Sequence, residues 1–136
     1  MIVVDTSAVV AIFRQEPDAA LHAGRIGHDD DPVMSAATLV EASLVLRGLK
    51  KIAAEHAEQW LNRFLDAAGI RVEPVTAAQA DLAREAHRRF GKGTGHAASL
   101  NYGDCFAYAL ARSMRAPLLF KGEDFARTDI EPALAP

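Results

Sequence analysis

Apolar positions in this chain fall into two kinds of run. The blocks Met1-Ile2-Val3-Val4, Pro32-Val33-Met34-Ser35 and Pro117-Leu118-Leu119-Phe120 are short, continuous and largely aliphatic. Such runs predict strands buried on both faces. Ile70 to Val75 alternates instead, which also predicts a strand, and Thr128-Asp129-Ile130 predicts a short edge strand. Between these, apolar residues recur at helical spacing. Helices are expected over Thr6 to Phe13, Asp18 to Ile26, Ala36 to Arg47, Ala53 to Ala68, Thr76 to Phe90 and Tyr102 to Met114. Pro17 suits the first turn of the second, and Thr76-Ala77-Ala78-Gln79 has capping-box spacing at the start of the fifth. Gly48 and Gly69 end the third and fourth. The predicted stripes are Leu39, Val40, Leu44 and Val45 in the third helix, and Trp60, Leu61, Phe64 and Leu65 in the fourth. Strands alternating with helices predict one α/β domain over residues 1–136, a three-layer α/β/α sandwich around a central parallel sheet.

Four acids stand where strands hand over to helices: Asp5, Glu41, Asp104 and Asp124. In an open α/β sheet, ligands bind outside the carboxyl ends of the strands, so these distant carboxylates are expected to meet. Each has a structural role open to it. Asp5 can cap a helix, Thr38 to Glu41 matches a capping box, Asp104 suits a helix dipole, and Asp124 can cap a short turn. The joint pattern favours chemistry. Glu41 shares a helical face with Ala37, Leu44 and Val45, which are expected to look inward, and a carboxylate there needs a partner or a metal. Two like charges ~4 Å apart repel by roughly 4 kcal/mol at an effective dielectric of about 20. A hard divalent cation, magnesium or manganese, is the natural counter-charge for an oxygen-only cluster. Lys121 is the one lysine near enough in sequence to neutralise Asp124 instead.

The composition is that of an ordinary globular protein, with half the residues apolar and a net charge of -3. That charge gives no global basic footprint, so a nucleic-acid partner would need a local patch. Arg84, Arg88, Arg89 and Lys92 supply a candidate at the end of one helix, where cations are also favoured by the helix dipole. The single cysteine, Cys105, asks for no oxidising compartment and reads as a small packing residue. No run approaches the ~20 apolar residues of a membrane span, and no leader pattern opens the chain, so a soluble, cytoplasmic protein is expected. Gly91-Lys92-Gly93-Thr94-Gly95 lacks the order of a nucleotide-binding P-loop, and the isolated histidines lack ligand spacing.

Four blocks carry a family resemblance: Met1 to Ala8, Ser35 to Ala42, Leu100 to Ala109 and Leu118 to Phe125. Together and in this order they resemble PIN-domain ribonucleases, and are similar to the VapC-type toxins of toxin–antitoxin pairs. The resemblance implies a PIN-like fold and a magnesium- or manganese-dependent endoribonuclease that leaves 5′-phosphate and 3′-hydroxyl ends on RNA. It implies Asp5, Glu41, Asp104 and Asp124 as the acidic quartet, with Asp5 and Asp104 on the metal. Thr6 or Ser7 would assist beside it; Arg88, Arg89 and Lys92 remain candidates for gripping phosphate on the basic-patch reading alone. It further implies a homodimer and a VapB-like antitoxin whose C-terminal segment covers the pocket. Glu123 stands where this family often has Asp or Asn, so it competes with Asp124 for the fourth role. A rival class is a magnesium-dependent aspartyl phosphatase or receiver domain. The phosphatase pattern wants Asp where Ser7 stands, and the receiver pattern wants a phospho-acceptor near Val72 to Val75, where there is none.

Overall fold

The three aliphatic blocks do lie side by side as buried strands. The computed structural model describes residues 1–135. Its elements follow in order as β1 (Ile2–Val4), α1 (Thr6–Phe13), α2 (Ala19–Gly27), β2 (Pro32–Ser35) and α3 (Ala36–Arg47). Next come α4 (Ala54–Ala68), β3 (Arg71–Glu73), α5 (Ala77–Phe90), α6 (Tyr102–Met114) and β4 (Leu118–Leu119), then a 3-10 turn, Phe125–Arg127. All strand pairs are parallel, in the order β3-β2-β1-β4.

Alternation along each strand builds a core on both faces. Val3, Val33 and Leu118 look to one side and pack against α5 and α6, through Ala86, Phe90, Tyr108 and Leu110. Ile2, Val4, Met34 and Leu119 look to the other, where α1, α3 and α4 supply Val9, Ala42, Leu46 and Leu61. Each aliphatic side chain so buried contributes about 1.5–3 kcal/mol relative to exposure. Within α4, Trp60 stacks on Phe64 at 5.0 Å between centroids and meets Phe13 of α1 edge-on. Gly69 closes α4 in the left-handed conformation, φ +66°, which a residue without a side chain adopts at least cost.

This strand order makes the site. From β1 the chain winds outward through β2 to β3, then crosses back to place β4 on the other side of β1. The crevice therefore opens at the carboxyl ends of β1 and β4, where the winding reverses. The Asp5 N–H donates to the Leu119 carbonyl at 3.0 Å and joins those two ends.

Two expectations fail here. Of the expected stripe Leu39-Val40-Leu44-Val45 in α3, only Leu39 packs against the core: Val40 and Leu44 are more than half exposed, and Val45 is also exposed. The buried face is Thr38, Ala42 and Leu46, whose small members let α3 approach the sheet closely. A helix apolar on two faces offers periodicity two solutions, and close approach selected the smaller residues. The edge strand at Thr128 to Ile130 is also absent. Asp129 instead accepts from the Tyr108 hydroxyl at 2.6 Å, and Thr128 Oγ1 donates to the Phe125 carbonyl at 2.7 Å. The bonds to β4 come from the next residues, with Leu118 N–H donating to Glu131 O at 2.8 Å and Ala133 N–H to Leu118 O at 2.8 Å.

Candidate active site

Asp5 leaves β1 in extended conformation and caps α1. Its Oδ2 accepts from the Ser7 N–H at 3.0 Å and the Ser7 hydroxyl at 2.7 Å, while its Oδ1 is buried without a hydrogen-bond partner. A carboxylate 2% exposed with one orphaned oxygen is expensive to ionise. Burial pushes its carboxyl up to about 6, against the Ser7 hydrogen bonds, and the nearby Glu41 charge adds to the rise. The capping role thus occupies one oxygen and leaves the other unmet.

Asp104 comes from the first turn of α6, within a capping box. Its N–H donates to Asn101 Oδ1 at 2.8 Å, and the Asn101 N–H donates to its Oδ2 at 3.0 Å. Burial lifts its carboxyl to about 7, outweighing the Asn101 N–H. The charges of Asp5, Glu41 and Asp124 push the same way. Glu41 is no capping residue, because the N-cap of α3 is Ser35, whose hydroxyl accepts from Ala37 N–H at 3.2 Å. Its Oε1 instead accepts from the Thr6 hydroxyl at 2.5 Å, a bond between segments 35 residues apart.

Asp5, Thr6, Glu41 and Asp104 line one open pocket of about 390 Å³. The same wall holds two polar residues that the sequence did not single out for it, Glu16 and Asn101. Glu16 lies just past α1 with no strand end or motif to flag it. Lys121 lines the pocket too, but its ammonium pairs with Glu16, and with Asp18 at 3.0 Å, rather than with the Asp124 expected from the sequence. Its N–H donates to Ser7 Oγ at 2.9 Å, tying the segment after β4 to the one that holds Asp5.

Gly103 is the other residue whose reason appears only in three dimensions. A methyl group built on its backbone would overlap the Glu41 carboxylate. Absence of a side chain lets the first turn of α6 come against α3 and bring Asp104 to Glu41. Gly103→Ala is accordingly expected to displace Glu41 and cut activity by on the order of a hundredfold, since small misplacements in a catalytic constellation have that effect. Near-wild-type turnover by Gly103→Ala in a purified cleavage assay would break this link.

Asp124 does not join the wall. It is exposed at the start of the turn Phe125–Arg127, makes no side-chain capping bond, and acts on Asp104 through its charge. Glu123 is exposed as well and lines a separate cavity with Asp18 and His22. Thr6 and Ser7 are placed to hold Glu41 and Asp5. The cluster Arg88, Arg89 and Lys92 lies elsewhere. Arg88 pairs with Glu85 at 3.1 Å, and Arg89 pairs with Asp129 at 3.3 Å beside Arg112. Arg89 is thereby held about two turns along α6 from Asp104, and none of the three lines the pocket. The basic side chains of α5 that share a groove with the first turn of α6 are Arg84 and His87. Cys105 is a buried thiol pushed up to about 11 by its surroundings, which keeps it protonated and rules out the nucleophile reading.

Among the described residues, no three His, Cys, Asp or Glu side chains stand as a ready ligand set for an ion. The donors nonetheless suit a hard divalent cation. They are carboxylate oxygens, one is buried and unpaired, and burial with like-charge repulsion raises two of the carboxyls well above the ordinary range.

A PIN-domain family model matches residues 2–131. The chain is 46% identical over 132 residues to Ribonuclease VapC28 of Mycobacterium tuberculosis, covering 97% of each chain. It is 46% identical over 129 residues to Ribonuclease VapC of Mycolicibacterium smegmatis, covering 94% of this chain and 96% of that one. Among solved structures, M. tuberculosis VapC20, described as a sarcin-ricin loop cleaving toxin, superposes with a TM-score of 0.74 over all of both chains at 19% identity. FitAcB from Neisseria gonorrhoeae superposes at 0.66, with 20% identity, over 97% of this chain and 96% of its own.

Proposed function

The chain belongs to the PIN-domain family and, within it, to the VapC ribonucleases, and from that premise we propose that it is a divalent-metal-dependent endoribonuclease acting as the toxin of a toxin–antitoxin pair. One observation carries the reading. Carboxylates from three segments far apart in sequence, Asp5, Glu41 and Asp104, line a single pocket at the reversal of the sheet, and burial keeps two of them from ionising freely. The phosphatase and receiver alternative loses its ground, since Ser7 is occupied in holding Asp5.

In this proposal Asp5 and Asp104 hold magnesium or manganese. When bound, the ion supplies charge neutralisation at the scissile phosphate and makes water a stronger nucleophile. The protein supplies the rest. Ser7 fixes the Asp5 carboxylate from Oδ2, leaving Oδ1 buried, unpartnered and free to accept. Thr6 fixes Glu41, which orients the attacking water and takes its proton. Asn101 fixes Asp104. Asp124, exposed at the rim, adds negative charge that favours the cation. In-line attack on a phosphodiester then leaves a 5′-phosphate and a 3′-hydroxyl. A homodimer and a VapB-like antitoxin complete the proposal. The exposed Val40, Leu44 and Val45 face of α3 lies next to the pocket, with Val45 in its wall, and is consistent with cover by a protein partner.

Mixed cellular RNA incubated with the purified protein and manganese is expected to be cut at discrete sites with phosphorylated 5′ ends. Excess chelator should abolish the cutting and fresh manganese restore it. Cleavage that persists unchanged in chelator would remove the metal from the proposal, and absence of any cleavage would remove the activity.

A further inference from the structure

The first turn of α6 has two sides. Asp104 faces the acidic pocket. On the other side, Tyr102, Cys105 and Phe106 form one wall of a second groove of about 490 Å³, whose opposite wall is α5 with Ala83, Arg84 and His87. Tyr102 is 80% exposed, an unusual setting for a large aromatic residue within two positions of a candidate metal ligand. It does not hang free. Its ring meets Phe106 in an edge-to-face contact, with centroids 4.9 Å apart and planes at 77°, so it is braced while most of its surface stays open. Arg84 has only a long, exposed contact to Asp81, at 3.5 Å, and the groove wall carries no carboxylate.

We infer that this groove is a nucleobase subsite. A base beside the scissile bond stacks on Tyr102, and Arg84, with His87, holds the adjoining phosphate. The inference rests on the ribonuclease reading and deepens it. Single-stranded RNA fits the chemistry on three counts. Unstacked bases are bound on aromatic faces, and such stacking tolerates any base. A groove with cationic and no anionic side chains complements a phosphodiester, which the neighbouring acidic pocket cannot hold unaided. The two sites share one helical turn, so a strand lying across α6 would present its phosphate to Asp104 and the next base to Tyr102. This also supplies what the Arg88, Arg89 and Lys92 cluster lacks, a cation beside the acids.

The test uses an RNA oligonucleotide spanning a cleavage site mapped on cellular RNA. Tyr102→Ala is expected to raise KM by about ten- to a hundredfold with kcat little changed, while Tyr102→Phe stays within about twofold of wild type. Replacing the base next to the cut by an abasic site should cost wild type the same factor and cost Tyr102→Ala nothing further. Arg84→Gln should reduce the salt dependence of RNA binding by about one phosphate contact. Equal KM for the Ala and Phe variants, or additive losses from Tyr102→Ala and the abasic site, would overturn the subsite. So would unchanged RNA binding by Tyr102→Ala together with weakened association with a purified antitoxin, which would give the groove to a protein. Binding of a mixed-sequence RNA pool in chelator, read by fluorescence anisotropy, separates the two claims. If wild type cleaves nothing yet Tyr102→Ala still weakens that binding, the ribonuclease reading fails and the groove stands.

Discussion

Asp104→Asn is expected to lower RNA cleavage by at least about a thousandfold, the scale on which removing a metal-holding carboxylate acts, while raising the thermal midpoint of the metal-free protein at neutral pH. The two effects have one cause. The Asp104 carboxyl is lifted to about 7 by burial and by the charges of Asp5, Glu41 and Asp124. A carboxyl raised above its unfolded value holds a proton in the folded state that the unfolded chain has already released. Its contribution to stability is therefore greatest in acid and is lost as pH climbs toward 7, where the ionised, metal-free site is strained. Asparagine removes that charge yet keeps an oxygen for the Asn101 N–H, so the cap on α6 survives. Asp5→Asn should lose as much activity with a smaller gain in stability. Its carboxyl, raised from 3.8 to about 6, costs on the order of 3 kcal/mol at neutrality. An amide would place an unpaired donor where Oδ1 is buried without a partner, at about 1–3 kcal/mol. A lower midpoint for Asp104→Asn in chelator would mean the carboxylate is a structural brace. Retained cleavage would take it out of the site.

The pair of variants also separates what the sequence could convey from what it could not. Strand-to-helix handovers were readable because β1, β2 and β4 are buried on both faces and leave continuous aliphatic blocks, so the acids that follow them are visible by position alone. Helix limits for α3 and α6 emerged with their ends correct, since Ser35 and Asn101 are strong caps and Gly48 ends α3. Facing was not readable for α3. Its small residues and its large ones each make an apolar stripe, and only the approach of the sheet decides between them. Glu16 and Gly103 were beyond reach for a related reason. Neither has a local job, and both matter through contacts with segments far away in sequence. Asp124 is the converse case. Its motif is apparent in the chain, but its side chain stays outside the pocket wall, where charge rather than contact links it to Asp104. The basic cluster was visible too, but its distance from the acids was not, because spacing along α5 does not say which residues it packs beside.

Affinity for manganese is expected to fall about a hundredfold between about pH 7.5 and about pH 5.5, a dependence that ordinary carboxylates would not produce. The ion binds the ionised carboxyls, so protonation competes with it. Over that range a group at about 7 (Asp104) weakens binding by about 25-fold and one at about 6 (Asp5) by about fourfold, if they act independently. Acids at an ordinary value near 3.8 would change it by only a few per cent. Titration calorimetry across this range checks the slope. Repeating it near pH 6.5 in two buffers of different ionisation enthalpy checks its origin, because close to one proton should leave the site for each ion bound. A flat affinity with no proton release would mean that Asp5 and Asp104 ionise freely without the metal. Burial would then not be what prepares the pocket for a cation, and the link from the placement of these acids to their chemistry would be cut at its first step.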